Sequence, residues 1–380
     1  MPVGVPLGVM AFGLGLSHAE PWEAGFHYQA DLLGVVSGGS AHRARYVGEF
    51  GLVLDGDLDQ AFGWHGATVH VDILHNAGDQ PNEDAGTLQG IDSIEVSDAG
   101  LRLYEAWIQQ DFGGLSVLAG IYDLNDEFSV TDSAGLLVAS PFGIATDFAA
   151  TGAAGPSLFP STALALRLNY DVEGAGYVRV AAFNANAGTW GDKGGLDVSF
   201  DDGALLIGEA GVDVGLRIAG GYWRYAQRQD DIRAGAGRPR VSQGGYVLTE
   251  APLGDQTGRF ATRLFARVSI SDGNTTDFVG GWQAGALVTG VLAGRPESAF
   301  SLGINQALLS DGGRANLRDA GIDPAHAETT LEVTYSDKIL DHLALQPDLQ
   351  VILTPGGDRD AKPAVVAGLR LTFDYAVLGN

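Results

Sequence analysis

From about residue 24 onward, apolar side chains recur at every second position, and the stretches in which they do so are joined by connections that are alternately short and long. Phe26, Tyr28, Ala30 and Leu32 alternate with His27, Gln29 and Asp31. Tyr46, Phe50, Leu52 and Leu54 oppose Arg43, Arg45, Glu49 and Asp55, and Thr329, Leu331, Val333 and Tyr335 oppose Glu328, Thr330, Glu332 and Thr334. A period of two puts successive side chains on opposite faces of a strand, so these segments read as two-faced strands and not as helices. The same pattern predicts further strands near 66–77, 101–112, 115–125, 161–171, 175–185, 204–213, 216–227, 243–253, 259–270, 279–292, 298–308, 343–353 and 364–375, for a total of about sixteen.

Short connections fall at 113–114, 172–174, 214–215, 294–297 and 337–342, and long ones at 78–100, 126–160, 186–203, 228–242 and 309–325. An even set of strands of about ten residues, with short turns at one rim and long loops at the other, is the pattern of an all-β transmembrane antiparallel barrel with periplasmic turns and extracellular loops. If the apolar face were a protein core, so long a sheet would have to fold over into a sandwich. If it meets lipid, closure satisfies every backbone group that lipid cannot, and the polar face lines a watery lumen.

Composition removes several function classes. The chain has no cysteine, which excludes disulfides, thiolate catalysis and thiolate-bound zinc. Its net charge of −25 argues against nucleic acid, which requires clustered Lys and Arg. GxSxG, HExxH and phosphate-loop patterns are absent, so no enzyme, metal site or cofactor is expected. The opening MPVGVPLGVMAFGLGLSHA is an apolar run ending in Ser17-His18-Ala19, a small-x-small pattern; it lacks a positive start but has the length of an export signal. Residues 1–19 are therefore expected to be a signal segment and 20–380 one barrel domain.

The segments RLYEAWIQQDF (102–112), LSVLAGIYDLNDEF (115–128), SPFG (140–143) and GPSLFPSTALALRLNY (155–170) carry a family likeness, together with LQGIDSIE (88–95) and LQPDLQVILTPGG (345–357). In this order they resemble the carbohydrate-selective, OprB-type outer-membrane porins, over about residues 25 to 375. The resemblance implies sixteen strands in the outer membrane of a Gram-negative bacterium, passage of small sugars, and one loop folded into the lumen as a constriction. The chain departs from the pattern in that AVLGN follows the terminal aromatics Phe373 and Tyr375.

Alternation turns a defined set of side chains inward. Arg167 and Asn169 share one strand, Arg179 lies on the next, Arg263 and Arg267 on another and Arg370 on the last, with Glu49, Asp72, Glu105, Gln109, Glu332, Asp348 and Gln350 facing the same way. Arginines opposing carboxylates set a field across a pore and can bind sugar hydroxyls; the same charges can also do no more than solvate the wall and pair with one another. Trp107 is read as inward, either stacking on a sugar ring or packing on the constriction loop. In GATVHVDILHNAG (66–78), Val69, Val71 and Ile73 face lipid, so His70 and Asp72 enter the lumen while His75 belongs near the rim. The segment 126–160 is too long for a passive connection and contains no Lys or Arg. It is expected to pack Phe128, Phe142 and Phe148 into the barrel and offer Asp126, Glu127 and Asp132 to the pore, with a surface lid as the other reading. Pro347, lacking an N–H, should mark a bulge or an unpaired position.

The sequence reading is a passive, sugar-admitting porin in contact with outer-membrane lipid and lipopolysaccharide, either a monomer or a trimer. A general or ion-selective pore of the same fold remains open beside it. From other classes there remain a secreted soluble β-rich carbohydrate-binding protein and a β-barrel hydrolase.

Overall fold

The alternation closes on itself. The computed structural model describes residues 20–378 except 234 and 236, so the expected export segment 1–19 lies outside the described residues. Its strands are β1 (Trp22–Ser37), β2 (Ala44–Asp57), β3 (Ala67–Gly78), β4 (Gly100–Phe112), β5 (Leu115–Tyr122), β6 (Ala163–Val172), β7 (Gly176–Asn184), β8 (Ala204–Asp213), β9 (Arg217–Tyr225), β10 (Gln243–Leu253), β11 (Ala261–Ser271), β12 (Phe278–Thr289), β13 (Ala299–Leu309), β14 (Ala327–Leu340), β15 (Leu343–Leu353) and β16 (Ala364–Leu378). Each pairs antiparallel with its neighbours in sequence, and β1 pairs with β16 from Ala24↔Leu378 to Ser37↔Val365, so the sheet has no free edge.

Several strand boundaries differ from the sequence reading, with β5 and β12 each stopping three residues early, at Tyr122 and Thr289. β14 runs on to Leu340, leaving 341–342 as the turn, because a register shift between Lys338 and Leu340 breaks the alternation that marked the strand. β1 extends past both of its expected ends, and β16 continues beyond Tyr375 to Leu378, held by its ladder to β1. At Pro347, pairing between β14 and β15 lapses between Thr334↔Asp348 and Asp337↔Leu345 and resumes in the same register, while the proline carbonyl accepts from Thr334 Oγ1 at 3.1 Å. The missing N–H thus leaves an unpaired position and no bulge.

The exterior is a continuous apolar surface, with Leu52, Leu166, Val180, Leu206, Val268, Leu302 and Leu369 all exposed. A patch of this extent meets lipid. Polar atoms on this face pair sideways: Trp282 Nε1 donates to Gln306 Oε1 (3.1 Å) and Gln306 Nε2 to Thr329 Oγ1 (2.9 Å) across three strands. No helix among the described residues is long and apolar enough to cross a membrane.

Connections 58–66, 113–114, 173–175, 214–216, 254–260, 290–298 and 341–342 lie at the periplasmic rim. The two-residue turn at 113–114 uses Gly113, whose φ of 69° a bulky or β-branched residue adopts only at a cost. At the extracellular rim are L1 (38–43), L2 (79–99), L3 (123–162), L4 (185–203), L5 (226–242), L6 (272–277), L7 (310–326) and L8 (354–363).

L3 turns into the barrel where β5 stops, which strips β4 of a partner above Glu105. L4 covers that gap. Leu103 N donates to Trp190 O (2.9 Å), Arg102 Nε pairs with Asp192 Oδ1 (2.6 Å), and Thr189 and Thr162 hydroxyls take the carbonyls of Leu103 and Tyr104. Inside, glycine makes room for L3: a Cβ on Gly303 of β13 would lie 2.6 Å from both Leu137 Cδ1 and Phe142 Cε1. Gly303→Val should therefore push L3 off the wall at a cost of about 1–3 kcal/mol. The expected result is a barrel that still needs boiling to unfold in SDS, melts earlier and conducts more; an unchanged melt and conductance would show that the contact does not hold the loop.

Candidate functional site

A loop lying inside a barrel carries N–H and C=O groups away from bulk water, and each must find a partner. The wall supplies them. Asp123 N donates to Glu105 Oε1 (2.7 Å), Ser129 N to Glu209 Oε2 (2.9 Å), Ser133 N to Glu250 Oε1 (2.6 Å), and Val138 N and Ala139 N to the two oxygens of Glu332. In the opposite sense, Arg267 Nη1 donates to Ser129 O (2.7 Å) and Gly143 O (2.8 Å) and its Nη2 to Pro141 O (2.9 Å). Arg179 Nη1 takes Glu127 O (2.7 Å) and Gln346 Nε2 takes Leu136 O (2.6 Å). L3 is thus tied to strands from β4 round to β15, by charge-assisted bonds everywhere except at Gln346, whose bond is neutral.

Its apolar side chains complete the attachment. Phe128, Phe142 and Phe148 are buried: Phe148 stacks on Trp223 at 4.8 Å, Phe128 meets Phe183 edge-on at 6.4 Å, and Phe142 packs with Phe265. L2 lies against L3, with Ser93 N donating to Val138 O (2.9 Å). Glu328 accepts from Leu88 N and Gln89 N of L2 and from Gly356 N of L8, and Gln350 Nε2 donates to Ile91 O (2.8 Å). Arg370 forms a buried bidentate pair with Asp31 (2.7–3.1 Å) and reaches Ser93 Oγ (3.1 Å) and Asp92 of L2.

The inward residues expected from alternation therefore fall into two groups. Glu105, Arg267, Glu332, Gln350 and Arg370 direct polar atoms at loops, and Asp348 is buried beside Gln350 (2.9 Å). Glu49 is also buried, with Asn76 Nδ2 at 3.1 Å and His27 Nε2 at 3.4 Å. The second group keeps some exposure. Trp107, Gln109, Arg179 and Arg263 are half-buried, as is His70, whose Nδ1 lies 2.7 Å from Asp55 Oδ1 and Nε2 3.4 Å from Glu105 Oε2. Trp107 has one face on the His70 ring (5.0 Å, 17° between planes), and its indole N–H has no protein partner among the described residues. Asp72 is buried behind His70, and His75 is on the exterior, so the three residues of that segment do not converge.

L3 presents carboxylates to wall arginines. Glu127 grips Arg167 with both oxygens (2.7 and 3.0 Å), and Arg167 also reaches Ser116 Oγ (2.6 Å) and Gln109 Oε1 (2.8 Å). Asp132, with 45% of its side chain exposed, binds Arg217 Nη1 (3.0 Å), which also binds Glu250 (2.9 Å). Arg263 Nε approaches Ser133 Oγ (3.3 Å), and Asp126 is exposed. Arg217, Tyr177, Glu209 and Glu250 were not singled out from the sequence. Counting back by twos from Trp223 reaches Arg217 and from Arg179 reaches Tyr177, but both adjoin turns, where the period fades. Tyr177 lies under the Arg179 guanidinium at 4.0 Å and donates to Glu209 Oε1 (2.7 Å).

Two outcomes follow. Glu332→Ala leaves the N–H groups of Val138 and Ala139 buried without partners, a loss of about 2–5 kcal/mol in denaturant unfolding; a change below about 0.5 kcal/mol would mean the loop does not depend on this anchor. In L2, burial pushes the Glu95 carboxyl up to about 7, opposed by the hydrogen bond from Asn82 N and reinforced by Glu83. Because the folded value lies above the unfolded one, protonated Glu95 contributes stability that is complete below about pH 4.5 and lost as pH rises through about 7. Glu95→Gln should melt with wild type at pH 4.5 and above it at pH 8; identical melting at both would contradict this.

Comparison with known proteins came out consistently. The family model described as carbohydrate-selective porin, OprB family, matches residues 41–375. Porin B of Pseudomonas aeruginosa is 23% identical, over 94% of this chain and 89% of that protein. The high-pH structure of Pseudomonas putida OprB superposes with a TM-score of 0.82 at 22% identity, covering 93% of this chain and 94% of that one. The outer-membrane channel DcaP of Acinetobacter baumannii shares the fold at a TM-score of 0.57 and 11% identity, covering 93% and 97% of the two chains.

Proposed function

The chain belongs to the carbohydrate-selective porins of the OprB family, and on that premise we propose that it passes small, glucose-like sugars across the outer membrane through the half-exposed band between L3 and the wall. The observation that carries this reading is the pairing of charges there: Glu127 with Arg167, and Asp132 and Glu250 with Arg217. Arg167 and Glu127 together present little net charge to a mobile ion, and the second carboxylate on Arg217 is offset by the nearby Arg179 and Arg263. They do present donors and acceptors side by side, and a sugar hydroxyl uses both. A hydrated ion entering a narrow passage sheds water for little return, whereas a sugar exchanges its water bonds for wall bonds of similar strength.

In this reading Arg179, Arg217 and Arg263 donate to hydroxyl oxygens, Asp126, Glu127 and Asp132 accept from hydroxyl hydrogens, and Trp107 and Tyr177 offer ring surface to the apolar face of a pyranose. The sugar moves down its own gradient, and no group on the path is asked to make or break a covalent bond. His70 and Asp72 act behind this band, setting the orientation of Trp107.

Liposome swelling tests the proposal. Glucose should enter faster than an amino acid or salt of similar size, and equal rates would favour a general diffusion pore. The double variant Arg179→Ala/Arg217→Ala should lower the glucose-to-amino-acid ratio by about fivefold, the equivalent of about one hydrogen bond, in a barrel that still folds. An unchanged ratio would remove these arginines from the sugar path. His70→Ala with Asp72→Ala should alter the same ratio less.

A further inference from the structure

On the exterior of β9 the outward positions run Ile218, Gly220, Tyr222 and Arg224 toward the extracellular rim. Tyr222 is 53% exposed, and its hydroxyl donates to Gln243 Oε1 (2.8 Å) on β10. An exposed tyrosine tethered by its hydroxyl, where the outward positions change from Ile218 and Gly220 to Arg224, marks the boundary between hydrocarbon and headgroups. Arg224 follows two residues later, about 7 Å further along the strand at the usual rise, opposite Gln243 in register. Its guanidinium therefore stands at the headgroup level of the outer leaflet, pointing away from the lumen.

L5 continues this strand. Gln229 and Arg240 exchange backbone hydrogen bonds as an isolated bridge, and Arg228 Nη1 donates to Pro239 O (3.2 Å), tying the two arms together. Residues 224–240 contain five arginines against two aspartates in a chain of net charge −25. Arg233 pairs with Asp319, and Arg240 with Asp231. Arg224, Arg228 and Arg238 are exposed, and among the described residues none of them makes an ion pair. In a protein with so large a surplus of carboxylates, three exposed arginines at the end of one strand and in its loop, none of them in an ion pair among the described residues, are open to an external anion.

We propose that Arg224, Arg228 and Arg238 form a docking site for the phosphate groups of lipopolysaccharide on the outer face of β9 and L5. Guanidinium forks match phosphate oxygens with two parallel hydrogen bonds, and the outer leaflet brings lipid A phosphates to the height at which Arg224 stands. Gln243, opposite Arg224 in register, adds a neutral amide donor. The site anchors one side of the barrel in its leaflet and is independent of the sugar path.

The full-length protein in detergent is titrated with bisphosphorylated lipid A, with lipid A stripped of both phosphates, and with inorganic phosphate, and bound lipid is counted by native mass spectrometry. Bisphosphorylated lipid A should bind wild type, with affinity falling as salt rises, and bind R224A/R228A/R238A about tenfold more weakly or less. The stripped lipid should bind both proteins weakly and equally, and millimolar phosphate should not displace lipid A. R224K/R228K/R238K, which keeps the charge, should retain part of the affinity, and glucose swelling rates of all variants should match wild type as evidence of intact barrels. Equal lipid A binding by wild type and the alanine variant would overturn the proposal. So would stripped lipid binding as well as the phosphorylated form, or full displacement by inorganic phosphate, which would assign the arginines to a soluble anion.

Discussion

The structure depends on one requirement: a polypeptide placed where water is scarce must satisfy its backbone polar groups from within. The barrel meets it twice. Closure of β1 on β16 pairs the sheet against lipid, so no strand edge faces hydrocarbon. Inside, L3 has no sheet to join, and the wall meets its N–H groups with glutamates 105, 209, 250 and 332 and its carbonyls with Arg267, Arg179 and Gln346. The lumen is polar in part because it must hold a loop, and only what is left over can meet a solute.

This division of labour explains the charge pattern. Inward arginines and carboxylates on a porin wall suggest at first a uniformly charged channel. Here Arg267 is 2% exposed and Glu332 1%, each occupied with loop backbone. Of the loop carboxylates that keep exposure, Glu127 is neutralised by the buried Arg167, and Asp132 shares Arg217 with the buried Glu250. Such a lining suits a neutral solute rich in hydroxyls, in keeping with the family to which the chain belongs.

Much of the fold was legible because a lipid-facing barrel writes a period of two into every strand, and the rims were legible because turns and loops alternate in length. Where a local irregularity overrode the period, the reading slipped: the register shift at Lys338/Leu340 hid the end of β14, and the turns beside Tyr177 and Arg217 hid two inward residues. L3 was recognisable by its length and its phenylalanines without Lys or Arg. Alternation says which way Glu332 points but not what lies against it, so its role as a loop anchor depends on a contact made across more than 190 positions of sequence. The covering of β4 by L4 was invisible for the same reason.

Sugar-dependent block of single-channel conductance tests the central claim most directly. With the loop anchored and its charges paired, glucose added at millimolar concentration should reduce the open-channel current in a saturable way, and an amino acid of similar size should not. A current equally insensitive to both, in a channel that conducts normally, would contradict a path built for sugar.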